Sequence, residues 1–174
     1  MARATFVKKA QKDIPGTDVK KGDSYWWWKH RYGPKQVSKT QPRASQLTNS
    51  AYKGQMYDLQ ERAEDVAKAV RAGEMDFATA KSELESIASD VRDLGQEQSD
   101  NRDNMPESLQ DAPSGELLQT RYDACESIAD ELEGIEEPDE EEPDEDAEES
   151  AEDTEQARRD EMADAIDAVS WDIE

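Results

Sequence analysis

The spacing of the large apolar residues between positions 52 and 135 constrains this chain more than any other feature. Tyr52, Met56, Leu59, Ala63, Val66 and Val70 recur at alternating four- and three-residue steps, which puts them on one face of an α-helix. Gly73 follows as a natural C-cap. Asp76 can cap a second helix in which Phe77, Ala80, Leu84, Ile87, Val91 and Leu94 repeat the spacing. The linker Gly73-Glu74-Met75 is short enough to force the two helices antiparallel. A third helix is expected to begin near Ser114 and end at Gly134, presenting Leu118, Tyr122, Cys125, Ile128 and Leu132, with Ile135 beyond. Each stripe is as narrow as a coiled-coil seam, so two helices would bury little, whereas three can close a common core. Residues 95–113 are polar and punctuated by Pro106 and Pro113. They read as a loop with one helical turn, anchored by Met105 and Leu109.

Such patterning matters because 34% of the residues are hydrophobic and 37% are charged, which leaves no apolar surface to spare. The expected fold is mainly α: a small antiparallel three-helix bundle over 48–135, preceded by a basic aromatic segment and followed by an acidic linker and a short C-terminal helix. The linker is placed at 136–153. Residues 136–155 hold fourteen acidic side chains and no basic one, with Pro138 and Pro143 among them, which predicts disorder. The C-terminal helix, 154–172, regains periodicity through Met162, Ile166 and Val169, with Trp171 and Ile173 after them. It has two candidate homes, its own bundle or the groove of a partner.

Charge divides the chain sharply. Residues 1–46 hold eleven basic and three acidic side chains, a net of +8, while residues 47–174 hold ten basic and forty-one acidic, a net of -31. Segments of opposite sign attract each other or attract different partners. Within the basic part, residues 1–23 read as an extended arm, with Pro15-Gly16 and Lys21-Gly22 as turns. Residues 24–40 read as an aromatic β-hairpin turning at Gly33-Pro34, and Pro42 breaks the strand that follows. Alternation along it puts Trp26, Trp28, His30 and Tyr32 on one face and Tyr25, Trp27, Lys29 and Arg31 on the other. One face is expected to pack inward and the other to remain a contact surface.

Sites for chemistry are not apparent. His30 and Cys125 are the sole histidine and cysteine, they fall in different predicted elements, and no metal-ligand spacing includes them. Cys125 lies in line with Ile128 and Leu132, which makes it a core residue rather than a nucleophile. The glycines form neither a phosphate loop nor a dinucleotide turn. No enzyme activity, metal or small-molecule cofactor is therefore expected. No apolar run reaches the roughly 18 residues of a membrane span, and no apolar core of a signal peptide follows the first basic residues. A lone cysteine fits a reducing compartment, and a cytoplasmic location is expected.

The basic aromatic segment is the strongest functional lead. Lys8, Lys9, Lys12, Lys20, Lys21, Lys29, His30, Arg31, Lys35, Lys39 and Arg43 interleave with Tyr25, Trp26, Trp27, Trp28 and Tyr32. Cations bind phosphates, and flat rings stack on exposed bases. The expected function is non-enzymatic binding of nucleic acid or a nucleoprotein through this segment. The acidic C-terminal region would compete for the same cations, so that removing everything after residue 135 tightens binding. Two other readings follow from other features. Carboxylates fixed on the helices, such as Glu61, Glu64, Asp65, Glu83, Glu85, Asp90 and Asp93, could mimic nucleic-acid phosphates and inhibit a DNA-handling protein, as an inhibitor encoded by a mobile element would. Alternatively, the coiled-coil-like seams could pair with a second copy or a scaffold.

Overall fold

The computed structural model describes residues 1–138 and 151–171. Most of the acidic linker expected over 136–153 lies outside the described residues. The chain divides into two compact units, Met1–Asp58 and Leu59–Glu174. The boundary falls later than position 48 because the first turns of one helix belong to the N-terminal unit.

The N-terminal unit is built on an antiparallel three-stranded sheet in the order β1-β2-β3, with β1 at Thr5–Val7, β2 at Tyr25–Lys29 and β3 at Lys35–Ser38. Pairing sets Thr5 opposite Trp27, Phe6 opposite Trp26 and Val7 opposite Tyr25. On the other side of β2, Trp26 faces Ser38, Trp27 faces Val37, Trp28 faces Gln36 and Lys29 faces Lys35. The predicted hairpin is β2–β3. The predicted extended arm, residues 1–23, is instead folded: it supplies β1 and a second, irregular hairpin. There the Ala10 N–H donates to the Asp23 carbonyl at 2.8 Å, Gly22 N–H donates to the Ala10 carbonyl at 2.9 Å, and Ala10 and Val19 are buried. Two glycine turns shape it. Pro15-Gly16 closes a turn with Thr17 N–H donating to the Ile14 carbonyl at 3.2 Å, and Lys21-Gly22 closes another with Asp23 N–H donating to the Lys20 carbonyl at 3.0 Å. Gly16 and Gly22 have φ of 77° and 100°, the left-handed position that a type II turn reserves for glycine. A one-turn helix, α1 at Ala44–Leu47, precedes α2 at Ala51–Arg71, whose Tyr52 and Met56 are buried.

The C-terminal unit contains the rest of α2, then α3 at Phe77–Asp103, a single turn α4 at Glu107–Gln110, α5 at Pro113–Glu133 and α6 at Ala151–Asp167. The stripes read from the sequence are the core. Leu59, Val66, Val70, Leu84, Ile87, Val91, Leu94, Cys125, Ile128 and Leu132 are all buried. At roughly 1.5–3 kcal/mol for each large side chain taken from water, these residues supply most of the unit's stabilisation. Phe77, Leu118 and Tyr122 are half-buried at the margins. Both predicted caps form. Asp76 accepts the N–H and the hydroxyl of Thr79 at 2.8 and 2.9 Å, and Gly73, with φ of 70°, ends α2 as Glu74 N–H donates to the Ala69 carbonyl.

One boundary differs. Expected to end near Leu94, α3 runs nine residues further, to Asp103, so that much of the expected 95–113 loop is helical. The seam continues through Gly95 and Gln98, both buried, and the absence of an apolar side chain at either position hid the helix. Gly95 is needed for close approach: a Cβ there would lie 2.8 Å from the Cys125 Cβ on α5. Glycine-to-alanine in a helix normally stabilises by about 1 kcal/mol. Gly95→Ala is expected to do the opposite and destabilise by about 1–3 kcal/mol, because the added methyl forces α3 from α5. A rise in melting temperature would show that the two helices can part at little cost.

The C-terminal helix docks on its own unit rather than standing free. Met162, Ala163 and Ile166 are buried, as is Val169 just beyond α6. The Arg158 guanidinium lies 5.0 Å from the Phe77 ring centroid and donates to the Pro138 carbonyl at 2.8 Å, and Ser170 N–H donates to Glu131 at 3.0 Å.

Candidate functional site

The sheet sorts the predicted binding residues into three groups. The first is structural. Trp28 is 5% exposed, and its indole N–H meets no acceptor among the described residues. Trp26 shares a face with Phe6 of β1, their ring centroids 5.0 Å apart. His30, expected on a strand face, lies in the turn after β2. Its Nε2 is 3.1 Å from the Gln46 carbonyl, to which it donates in the tautomer protonated there. Arg43 lies at the start of α1, where its N–H donates to the Gln46 side chain at 3.1 Å. Lys39 pairs with Asp23 at 2.8 Å, and this bond, helped by the Lys20 N–H, holds the Asp23 carboxyl below its ordinary value.

Lys8, Lys9, Lys12, Lys20 and Lys21 form the second group, exposed along the connection between β1 and β2. The backbone there is tied down by Lys21 N–H donating to Asp13 at 2.7 Å and Lys20 N–H donating to Asp23 at 3.0 Å. Their side chains are thus carried on a fixed loop rather than on a free arm.

The third group converges at the end of the β2–β3 hairpin. Lys29 and Lys35 are directly opposed across the two strands, and both are exposed. Opposed like charges disfavour a strand pair. Among the described residues neither lysine meets a carboxylate. Lys35 instead sets its ammonium 4.3 Å from the Trp27 ring centroid, on the same face of the sheet. Between them the turn projects Arg31 and Tyr32, with Tyr32 90% exposed and the Arg31 guanidinium 5.4 Å from its ring centroid. His30 and Tyr32 therefore do not share the Trp26–Trp28 face, because β2 ends at Lys29 and alternation ends with it. The half-buried Tyr25 lies at the other end of β2. Phe6 was missed by sequence reading; its pairing with Trp26 depends on a strand too short to show periodicity.

The acidic unit has its own order. Arg92 on α3 reaches Glu126, Asp130 and Glu133 on α5, and Arg71 on α2 reaches Asp160, Asp164 and Asp167 on α6. Each arginine thus spans carboxylates spaced four and then three residues apart, a pattern present in the sequence but unread there. Lys81 donates to the Glu133 and Ile135 carbonyls at 2.5 and 2.7 Å, closing the C-terminus of α5. Of the carboxylates considered as phosphate mimics, Asp90 is paired with Arg62 at 2.5 Å, and Glu64 and Asp65 share Lys68. Glu83, Glu85 and Asp93 remain exposed on α3.

These pairs set a pH dependence. Its bond to Arg92 holds the Glu133 carboxyl below its ordinary value, and the Thr79 bonds do the same for Asp76. A carboxylate with a lowered folded-state pKa stabilises above its unfolded value and loses that contribution as pH falls through the folded one. Thermal stability is therefore expected to hold between pH 7 and about 5 and to fall as the pH drops below about 4, where the Glu133 and Asp76 contributions are progressively lost. A melting midpoint unchanged down to about pH 3 would show that these bonds contribute nothing to stability.

In comparisons with known proteins, no family model, curated protein or solved structure matches this chain. No helix among the described residues is long and apolar enough to cross a membrane.

Proposed function

We propose that this protein binds nucleic acid or a nucleoprotein without catalysing a reaction, through the basic aromatic surface of its N-terminal unit, and that its acidic C-terminal region modulates that binding. The observation carrying the proposal is the end of the β2–β3 hairpin. Lys29 and Lys35 oppose each other with Arg31 and Tyr32 projecting between them, and no carboxylate among the described residues pairs with either lysine. A fold gains nothing from opposed ammonium groups, whereas a phosphate between them gains from both. The surrounding unit carries twelve basic and four acidic side chains, a net of +8, so the long-range field points the same way.

The test is titration of the full-length protein with labelled nucleic acid at low and physiological salt. Binding that weakens steeply with salt supports the proposal. Absence of binding at low salt overturns it and moves function to a protein partner. Modulation has a separate test, because cutting after residue 135 would also remove the buried face of α6. Replacing the nine acidic residues of 139–150 by their amides leaves α6 in place. Affinity at low salt is expected to rise by about threefold or more, the gain vanishing at high salt. Unchanged affinity would remove the acidic segment from the account.

The alternative of acidic mimicry has weaker support, since at least three of the seven carboxylates considered, Glu64, Asp65 and Asp90, are locally paired. Self-association through the helical seams would need surface other than the stripes, which are filled within the chain; among the described residues of the helical unit, Leu109 and Leu117 are the exposed large apolar ones.

A further inference from the structure

We infer that the ligand of the hairpin tip is the phosphate backbone of a nucleic-acid duplex, with Trp27 acting as a positioning residue for Lys35 rather than as a stacking platform. The inference rests on the nucleic-acid reading above and narrows it to one form of the ligand.

Proteins that hold single strands combine a cationic groove with open aromatic faces, and stacking supplies much of their affinity. The three consecutive tryptophans suggest such a platform, but none of them stands fully open: Trp26 and Trp27 are half-buried and each already has a neighbour on its ring. Trp28 is buried, Trp26 packs on Phe6, and Trp27 has the Lys35 ammonium 4.3 Å from its ring centroid. Tyr32 is the one aromatic side chain of the tip that stands open, and a single ring does not make a stacking track. What remains is the end of the three-stranded sheet, where β2 and β3 run past β1 through the Trp28–Gln36 and Lys29–Lys35 pairs as a short two-stranded ribbon that displays Lys29, Arg31 and Lys35. A ribbon of that kind fits the roughly 12 Å major groove of a duplex, and its cations can meet the flanking phosphates.

The opposed lysines add a second argument. Glutamate at either position would complete a cross-strand ion pair, so the lysine pair sets local sheet stability against a concentrated positive charge. Holding Lys35 against Trp27 removes rotamer freedom from a flexible side chain before the ligand arrives, which lowers the entropy lost on binding.

The experiment compares the full-length protein with a 20-base-pair DNA duplex and with one of its strands, across a salt series. The variants are Lys29→Gln, Lys35→Gln, Trp27→Leu and the Trp27→Leu/Lys35→Gln double substitution. The duplex is expected to bind at least as tightly as the single strand. Each lysine substitution should flatten the log–log salt slope by about one, as expected for one lost phosphate contact. Trp27→Leu should weaken binding by less than Lys35→Gln and add nothing once Lys35 is gone, a dependence that a stacking residue would not show. Should Trp27→Leu unfold the sheet, the two exposed lysines still decide the salt-slope result. A preference of tenfold or more for the single strand would overturn the duplex inference and leave the binding function standing, as would unchanged salt slopes in both lysine variants. Failure of the unaltered protein to bind either form at low salt would overturn both.

Discussion

Reversing Lys29 and Lys35 to glutamate together is expected to lower affinity for duplex DNA by on the order of 100-fold at about 50 mM salt, with the salt slope shallower by about two. The change replaces two attractive charges at the hairpin tip with two repulsive ones while leaving the buried residues of the sheet untouched. The cost to the fold should be small. The cross-strand repulsion is the same with two carboxylates as with two ammonium groups, so the main loss is the contact of Lys35 with Trp27, about 0.5–1 kcal/mol. The single substitution Lys35→Glu separates the effects further. It creates an ion pair with Lys29 and should leave the sheet as stable as before, yet weaken binding, because the Lys29–Lys35 pair is neutralised and Arg31 alone among the described residues keeps an unpaired positive charge at the tip. A binding loss accompanied by an equal loss of thermal stability would mean that the lysines matter only to folding. Anisotropy titration and thermal melting of the same samples distinguish the cases.

The second large effect concerns the C-terminal helix. Ending the chain after Pro138 removes the buried side chains of Met162, Ile166 and Val169 and frees Arg71 from Asp164 and Asp167, which it meets at 2.8 and 3.0 Å. At roughly 1.5–3 kcal/mol for each large apolar side chain, and after subtracting the entropy of ordering the segment, the expected loss is on the order of 3–5 kcal/mol. That is a large share of the roughly 5–15 kcal/mol that typically separates folded from unfolded domains. Urea denaturation should show a lower midpoint, and a separate peptide of residues 151–174 should restore part of it. An unchanged midpoint would show that α6 rests on the unit without supporting it.

The helical unit was legible in the sequence where apolar residues mark the seam. The stripes on α2, α3 and α5, the Asp76 cap and the Gly73 stop all follow from local spacing and capping chemistry. The reading failed where seam positions are occupied by residues that look like breakers: Gly95 and Gln98 hid the last part of α3, because close helix approach is a tertiary demand that single-sequence periodicity does not contain. β1 was missed for a related reason. Its three residues are too few to alternate visibly, and it exists because Phe6 and Trp26 meet across strands. At the candidate site, composition located the basic aromatic segment, but it could not say which rings are occupied. Only the cross-strand register brings Lys29 opposite Lys35 and sets Lys35 over Trp27.

Mapping the contact by amide chemical shifts tests the central claim most directly. On adding duplex DNA to the full-length protein at low salt, the signals of Lys29–Val37 should move most, followed by those of the lysine-bearing loop between β1 and β2, and the movement should reverse as salt is raised. Shifts confined to residues 59–171, or none at all at low salt, would contradict the assignment of binding to the hairpin tip.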